Sequence, residues 1–140
     1  MHHHKMKSEY RQPTIPESTV LKSRGELQIA RLLERNGIAY QYEYPLAVID
    51  RGRVRLWYPD FRLPEYGLII EYFGVNGDPG YDQRIRHKIE TYRRAGIEGL
   101  FLRSQDLKGD WPGRILGRIE AILKTRLQRF QKAASKARQL

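Results

Sequence analysis

Two hydrophobic periods alternate along this chain. Ser23-Arg24-Gly25-Glu26 has the S-x-x-E form of a capping box, and Leu27, Ile29, Ala30, Leu32 and Leu33 follow as the apolar positions of a helix. Asn36-Gly37 should end that helix, because both residues tolerate a left-handed backbone. Ala39-Tyr40-Gln41-Tyr42-Glu43-Tyr44 then alternates at period two, which predicts a strand with three tyrosines on one face. Asp50-Arg51-Gly52 reads as a hairpin turn, and the returning strand runs from Arg53 to Phe61 through Pro59-Asp60. After a second turn at Leu63-Pro64-Glu65-Tyr66-Gly67, the run Leu68-Ile69-Ile70-Glu71-Tyr72-Phe73 is nearly all apolar. It should be a central strand carrying a single carboxylate.

The second half returns to helical spacing. Asn76-Gly77-Asp78-Pro79-Gly80 reads as a loop, and a helix is expected from about Tyr81 to Ala95, closed by Gly96. Gly99-Leu100-Phe101-Leu102 is a short buried strand. Asp110-Trp111-Pro112 opens a last helix, with Asp110 as its expected cap and Ile115, Ile119, Ile122, Leu123, Leu127 and Phe130 as its apolar stripe. The order α-β-β-β-α-β-α predicts an α/β fold, a mixed sheet flanked by helices. Before it, Pro13, Pro16 and scattered polar residues read as an arm over 1–22, opening on the tag-like Met1-His2-His3-His4-Lys5. One domain is expected over 23–140, with 113–138 as its C-terminal helix.

Composition fits that picture. The chain has 140 residues, 40% hydrophobic and 30% charged, the balance of one globular domain with a real core. No apolar run reaches the roughly 20 residues of a membrane span, and no apolar signal segment opens the sequence. A cytoplasmic or nucleoid-associated location and no membrane partner are therefore the expectation. The absence of cysteine removes disulfides, thiolate metal sites and cysteine nucleophiles.

The formal charge of +10 is unevenly spread. Residues 26–113 hold thirteen basic and thirteen acidic residues, whereas 114–140 hold eight basic and one acidic. A neutral body with a basic end points to a polyanion, nucleic acid above all; the plainer alternative is a solvated basic helix.

Asp60 and Glu71 are the candidate chemistry. A strand pair joined by a short turn can set them opposite each other, and two carboxylates meeting there repel unless a cation lies between them. Asp60 alone would be an ordinary turn residue. Glu71 is the odder one, since an ionised carboxylate in an apolar strand is costly unless paired. An ion pair with an arginine is its structural alternative.

The set Tyr58-Pro59-Asp60-Phe61, then Leu63-Pro64-Glu65-Tyr66-Gly67-Leu68-Ile69-Ile70-Glu71-Tyr72-Phe73-Gly74, resembles the PD-(D/E)XK nuclease superfamily. In particular it is similar to the nuclease-like segment of some superfamily-one DNA helicases. Ser23-Arg24-Gly25-Glu26 and Tyr81…Lys88…Tyr92 extend the likeness over roughly residues 20–105. The resemblance implies a restriction-endonuclease-like α-β-β-β-α-β core with an added basic C-terminal helix. It implies a Mg²⁺-dependent DNA endonuclease, with Mn²⁺ able to substitute, acting on branched DNA such as a Holliday junction in repair or recombination. A site-specific or homing-type endonuclease is the near rival, and a non-catalytic nucleic-acid-binding module the rival of another class. A basic helix docking a membrane or an acidic protein is a third reading.

One departure bears on catalysis: the superfamily pattern has Lys two residues after the Glu, where this chain has Phe73. Tyr81, Ile85, Lys88 and Tyr92 share one helical face, so packing that face on the sheet would aim Lys88 at the carboxylates. A solvated lysine beside a packing stripe is the alternative. Glu26 either bonds the backbone of Ser23 in the capping box or completes the acidic site, as the resemblance implies. Asp60, Glu71 and the Tyr72 carbonyl would hold Mg²⁺, which polarises a phosphoryl oxygen and activates a water. Lys88 would orient that water or stabilise the developing charge.

DNA contacts are expected from Arg51, Arg53 and Arg55, which alternate along the hairpin as a comb, and from Arg84. The last helix adds Arg114, Arg118, Arg126, Arg129, Lys132 and Lys136. Tyr40, Tyr42 and Tyr44 could stack on unpaired bases, or serve as core or dimer contacts. His87 is expected at the surface without a metal. Paired cuts need two active sites, which admits a homodimer.

Overall fold

The computed structural model describes residues 23–74 and 79–139. The tag-like start, the arm and most of the 76–80 loop lie outside them. The chain divides into two compact units, one running to Leu107 and the other starting at Lys108.

The first unit begins with α1 (Arg24–Arg35). Ser23 caps it, its Oγ accepting the Glu26 N–H at 3.1 Å, and Ile29, Ala30, Leu32 and Leu33 are buried. Asn36 and Gly37 (φ 63°) end it as expected. Gly25 is needed at its start: a Cβ there would stand 2.4 Å from the Tyr72 ring.

Six strands follow: β1 (Gln41–Tyr42), β2 (Leu46–Asp50), β3 (Arg53–Trp57), β4 (Phe61–Leu63), β5 (Leu68–Tyr72) and β6 (Glu98–Leu102). They form a four-stranded mixed sheet in the order β1-β4-β5-β6 and a separate two-stranded ribbon of β2 and β3. β4 is antiparallel to β1 and β5, whereas β5 and β6 run parallel. A parallel pair needs a crossover, and α2 (Pro79–Arg94) supplies it. This is the mixed α/β architecture with flanking helices that the hydrophobic pattern predicts. β5 is its buried centre, from Leu68 through Glu71. Gly99 lets β6 approach: a Cβ there would lie 2.7 Å from the Ile69 side chain.

Three expectations are corrected. The predicted strand Ala39–Tyr44 shortens to two residues, because Glu43 takes a left-handed φ of 52° and Pro45 has no N–H to pair. The predicted strand Arg53–Phe61 divides at Pro59-Asp60 into β3 and β4, and the partner of β3 is β2, unread in the sequence. The hairpin turn itself falls at Arg51-Gly52, with φ of 51° and 78°. α2 also starts two residues early, at Pro79, a residue suited to a first helical turn because its missing N–H needs no partner there.

The ribbon has two faces. Val48 and Trp57 join Ile69, Tyr92 and Phe101 in the core, while Ile49, Val54 and Leu56 are exposed.

The second unit contains α3 (Trp111–Arg138). Asp110 occupies its cap position but makes no capping side-chain hydrogen bond, contrary to expectation. Ile115 and Ile119 are buried, but Leu127 and Phe130 are 56% and 70% exposed. The apolar stripe thus lapses where basic residues crowd the helix, leaving too narrow a face to bury.

Candidate active site

The β4–β5 register pairs Phe61 with Ile70, so one further step sets Asp60 opposite Glu71. Each carboxylate is then held by the other strand's backbone. The Asp60 N–H donates to Glu71 Oε1 at 2.9 Å, and the Tyr72 N–H donates to Asp60 Oδ2 at 2.7 Å. This reciprocal clasp fixes both side chains to the sheet.

Glu71 is 1% exposed within the strand. Its Oε2 accepts from the Tyr92 hydroxyl at 3.1 Å and lies 2.7 Å from the Lys88 Nζ. The ion pair is therefore with the helix-borne lysine, not with an arginine. Tyr92 lies one turn beyond Lys88 on the same face of α2, and Ile85 on that face is buried. Burial, then the charge of Glu71, pushes the Tyr92 hydroxyl well above its ordinary value, so it remains a donor.

Glu26 is buried at the start of α1. Its Oε1 accepts from the Tyr42 hydroxyl at 2.6 Å and its Oε2 from the Ser23 hydroxyl at 3.1 Å. The capping box is thus altered: Glu26 meets the Ser23 hydroxyl rather than its backbone. Glu26, Asp60, Glu71, Tyr72, Phe73, Arg84 and Lys88 all line one cavity of about 410 Å³. The expected bond to the Ser23 backbone is therefore replaced by one to its hydroxyl, and Glu26 also forms part of the cavity wall.

Three carboxylates share this space with Lys88 and Arg84, and Asp60 registers the imbalance. Burial first, then the charges of Glu71 and Glu26, outweigh the Tyr72 N–H and Lys88 and raise its carboxyl from 3.8 to about 7.

Phe73 follows directly on the end of β5, two residues after Glu71. Its ring stacks on Phe101, with centroids 6.4 Å apart, and the Lys88 ammonium sits 5.9 Å from its centroid. Its carbonyl accepts from the Tyr81 hydroxyl, which ties the start of α2 to the end of β5.

The expected DNA contacts scatter. Arg53 and Arg55 lie on β3, but Arg51 sits in the turn, so the three do not form a comb along one strand face. Arg55 also lies 3.8 Å from Asp50. Arg84 borders the carboxylate cavity. Arg114, Arg118, Arg126, Arg129, Lys132 and Lys136 all lie on α3, in the other unit.

The tyrosine row does not form a stacking platform. Tyr40 is buried and donates to Glu34 at 2.6 Å, Tyr42 donates to Glu26, and Tyr44 lies under Arg62 at 5.1 Å. Tyr40 and Tyr42 both pack edge-on to Phe61, and the bend at Glu43 turns only Tyr44 out of that row. Ser23, three residues from Glu26, is legible in the capping-box pattern, but nothing in the sequence marks Tyr42 and Tyr92 as supports of the carboxylates. Nor does it show that His87, at the surface as expected, meets Asp50 at 2.8 Å. A long-range partner leaves no local spacing to read.

An oxygen-only donor set with excess negative charge suits a hard divalent cation. Among the described residues no group of three or more histidines and carboxylates is arranged to hold a metal. Mg²⁺ often takes only one or two carboxylates and keeps its waters. Asp60 and Glu71, with Tyr72 beside them, fit that minimal set. No protein-family model matches the chain, and no curated protein matches it.

Proposed function

We propose that the protein is a Mg²⁺-dependent endonuclease hydrolysing phosphodiester bonds in DNA, with a restriction-endonuclease-like core of the PD-(D/E)XK kind. The observation that carries this reading is the convergence of Glu26, Asp60, Glu71 and Lys88 on one cavity at the end of the central strands. A phosphate-binding module has no use for buried carboxylates, whereas a hydrolase that holds a cation does.

Asp60 and Glu71 would hold the metal, which when bound supplies Lewis-acid polarisation of the phosphoryl group. The rest is the work of the chain. The reciprocal backbone bonds keep both carboxylates in place before substrate arrives. Tyr92 and the Asp60 N–H fix the rotamer of Glu71. Lys88, resting on the face of Phe73, replaces the strand lysine and offers its positive charge to the oxygens of the reacting phosphate. Glu26, held by Tyr42 and Ser23, borders the same space and can orient the attacking water. No covalent intermediate is required.

The test is incubation with single-stranded, duplex, flap and four-way-junction DNA in Mg²⁺ and in EDTA. Asp60→Ala and Glu71→Ala should each abolish cleavage and leave DNA binding intact or tighter. Cleavage that survives either change, or survives EDTA, would sink the proposal. A second reading, a non-catalytic nucleic-acid-binding module, is favoured by one observation: Glu71 already has protein partners on both oxygens. It is the outcome if every DNA is bound and none is cut.

A further inference from the structure

A larger groove, of about 760 Å³, adjoins the carboxylate cavity, and Arg84 and Lys88 belong to both. Its volume falls in the range of about 300–1,000 Å³ usual for small-molecule sites. Its chemistry differs from that of its neighbour. Arg51, Arg84, His87 and Lys88 line it together with Leu56, Trp57 and Tyr58, and no carboxylate does. One cavity is therefore acidic, and the next is cationic and aromatic.

The aromatic wall is both held and accessible. Trp57 sits edge-on to Tyr92 at 5.2 Å and to His87 at 6.5 Å. His87 is in turn anchored to Asp50. Tyr58 and Leu56 remain 53% and 59% exposed. A rigid indole beside an exposed phenol, ringed by cations, matches a heterocyclic base joined to a phosphate. Neither a paired duplex nor a bare phosphate would use the apolar surface.

We infer that this groove is a nucleotide subsite, which takes one unpaired base of a DNA strand against Trp57 and Tyr58 while Arg51 and Arg84 hold its phosphate. The inference deepens the proposed function and rests on it, because Lys88 and Arg84 border both spaces. A strand with one base in the groove has its neighbouring phosphate beside Asp60 and Glu71. The preferred substrate class is then DNA with an unpaired or splayed base next to the cut, not a continuous duplex.

The experiment uses the full chain in EDTA, so that binding is read without cleavage. The chain holds two tryptophans, and Trp111→Phe leaves Trp57 as the reporter. The probes are a fluorescein-labelled duplex, the same duplex with one bulged adenine, the same with a bulged abasic residue, and deoxyadenosine monophosphate. The bulged adenine should quench Trp57 and bind about tenfold more tightly than the abasic bulge, toward the lower end of what one base–aromatic stack gives. Tyr58→Ala should remove that preference while binding the paired duplex as before. Tyr58 is exposed, so its loss leaves the core intact. Equal binding of adenine and abasic bulges, or a preference that survives Tyr58→Ala, would overturn the subsite. So would mononucleotide binding as tight as that of the bulged strand, which would make the groove a site for free nucleotides. Cleavage in Mg²⁺ is scored separately. If the base preference holds without cleavage, the hydrolytic reading falls and the subsite stands. If DNA is cut without any base preference, the subsite falls alone.

Discussion

Asp60→Asn should change the pH dependence of stability in the metal-free protein. The folded state holds the Asp60 proton up to about pH 7, whereas the unfolded chain releases it near 3.8. Between those values the folded state binds more protons, so this residue's contribution to stability falls as pH rises. Roughly three pH units at about 1.4 kcal/mol each give a loss on the order of 4 kcal/mol. That is a large share of the ~5–15 kcal/mol of a typical domain. Asparagine carries no titrating proton and still presents an oxygen to the Tyr72 N–H. Urea unfolding in EDTA from pH 4 to 8 should therefore show Asp60→Asn gaining on the wild type up to about pH 7, then keeping a constant lead over it. Mg²⁺ should raise the wild-type midpoint increasingly over the same interval, because it competes with the proton. Parallel profiles for the two proteins would refute the reasoning, since burial and the neighbouring carboxylates would then not be holding the Asp60 proton.

Lys88→Met keeps the aliphatic stem over Phe73 but removes the ammonium, and should lower single-turnover cleavage by about 10²–10³, the cost of one electrostatic donor. Because Lys88 is partly exposed, the stability loss read by urea unfolding should stay near ~1–3 kcal/mol, below that of a fully buried pair. Gly25→Ala forces a methyl into the Tyr72 ring and should cost about 1–3 kcal/mol in a urea melt, most of it recovered by also making Tyr72→Leu. Tyr42→Phe strips a donor from a buried carboxylate and should cost about 1.5–3 kcal/mol, with Glu26→Gln in the same background checking that the two act together. Removing residues 126–140 should flatten the slope of log affinity against log salt by about 0.9 for each phosphate that the segment neutralises; an unchanged slope would mean that this part of α3 faces something other than DNA.

The elements were legible where hydrophobic period decides. Leu68–Glu71 reads as a buried strand because no polar residue but Glu71 interrupts it, and Lys88 falls on the packed face of α2 through its spacing from Tyr81, Ile85 and Tyr92. The hairpin turn and β3 were legible but β2 was not, because Leu46-Ala47-Val48-Ile49 has no alternation, yet the ribbon leaves Ile49, Val54 and Leu56 in solvent. Sequence shows that these residues are apolar but not which face is covered. The tyrosine row holds for Tyr40 and Tyr42, which pack on Phe61, and loses Tyr44 for a backbone reason: a left-handed φ at Glu43, a non-glycine residue, gives no compositional warning. The carboxylates could be named from the sequence, but their clasp could not. Its donors are backbone N–H groups, and every residue type except proline has one.

A lysine carried on the strand would arrive with the carboxylates, as part of the same hydrogen-bonded ladder. Here the cation arrives on a different element. The clasp between Asp60 and Glu71 can form when β4 meets β5, but Glu71 stays unneutralised until α2 docks. The negative charge and the charge that balances it therefore lie on separate elements, and only a docked α2 neutralises Glu71. Local unfolding that releases α2 would remove that neutralisation, so amide exchange in that helix should report on the integrity of the site. With Phe at position 73, the charge that neutralises Glu71 is thus controlled by helix docking rather than by strand register.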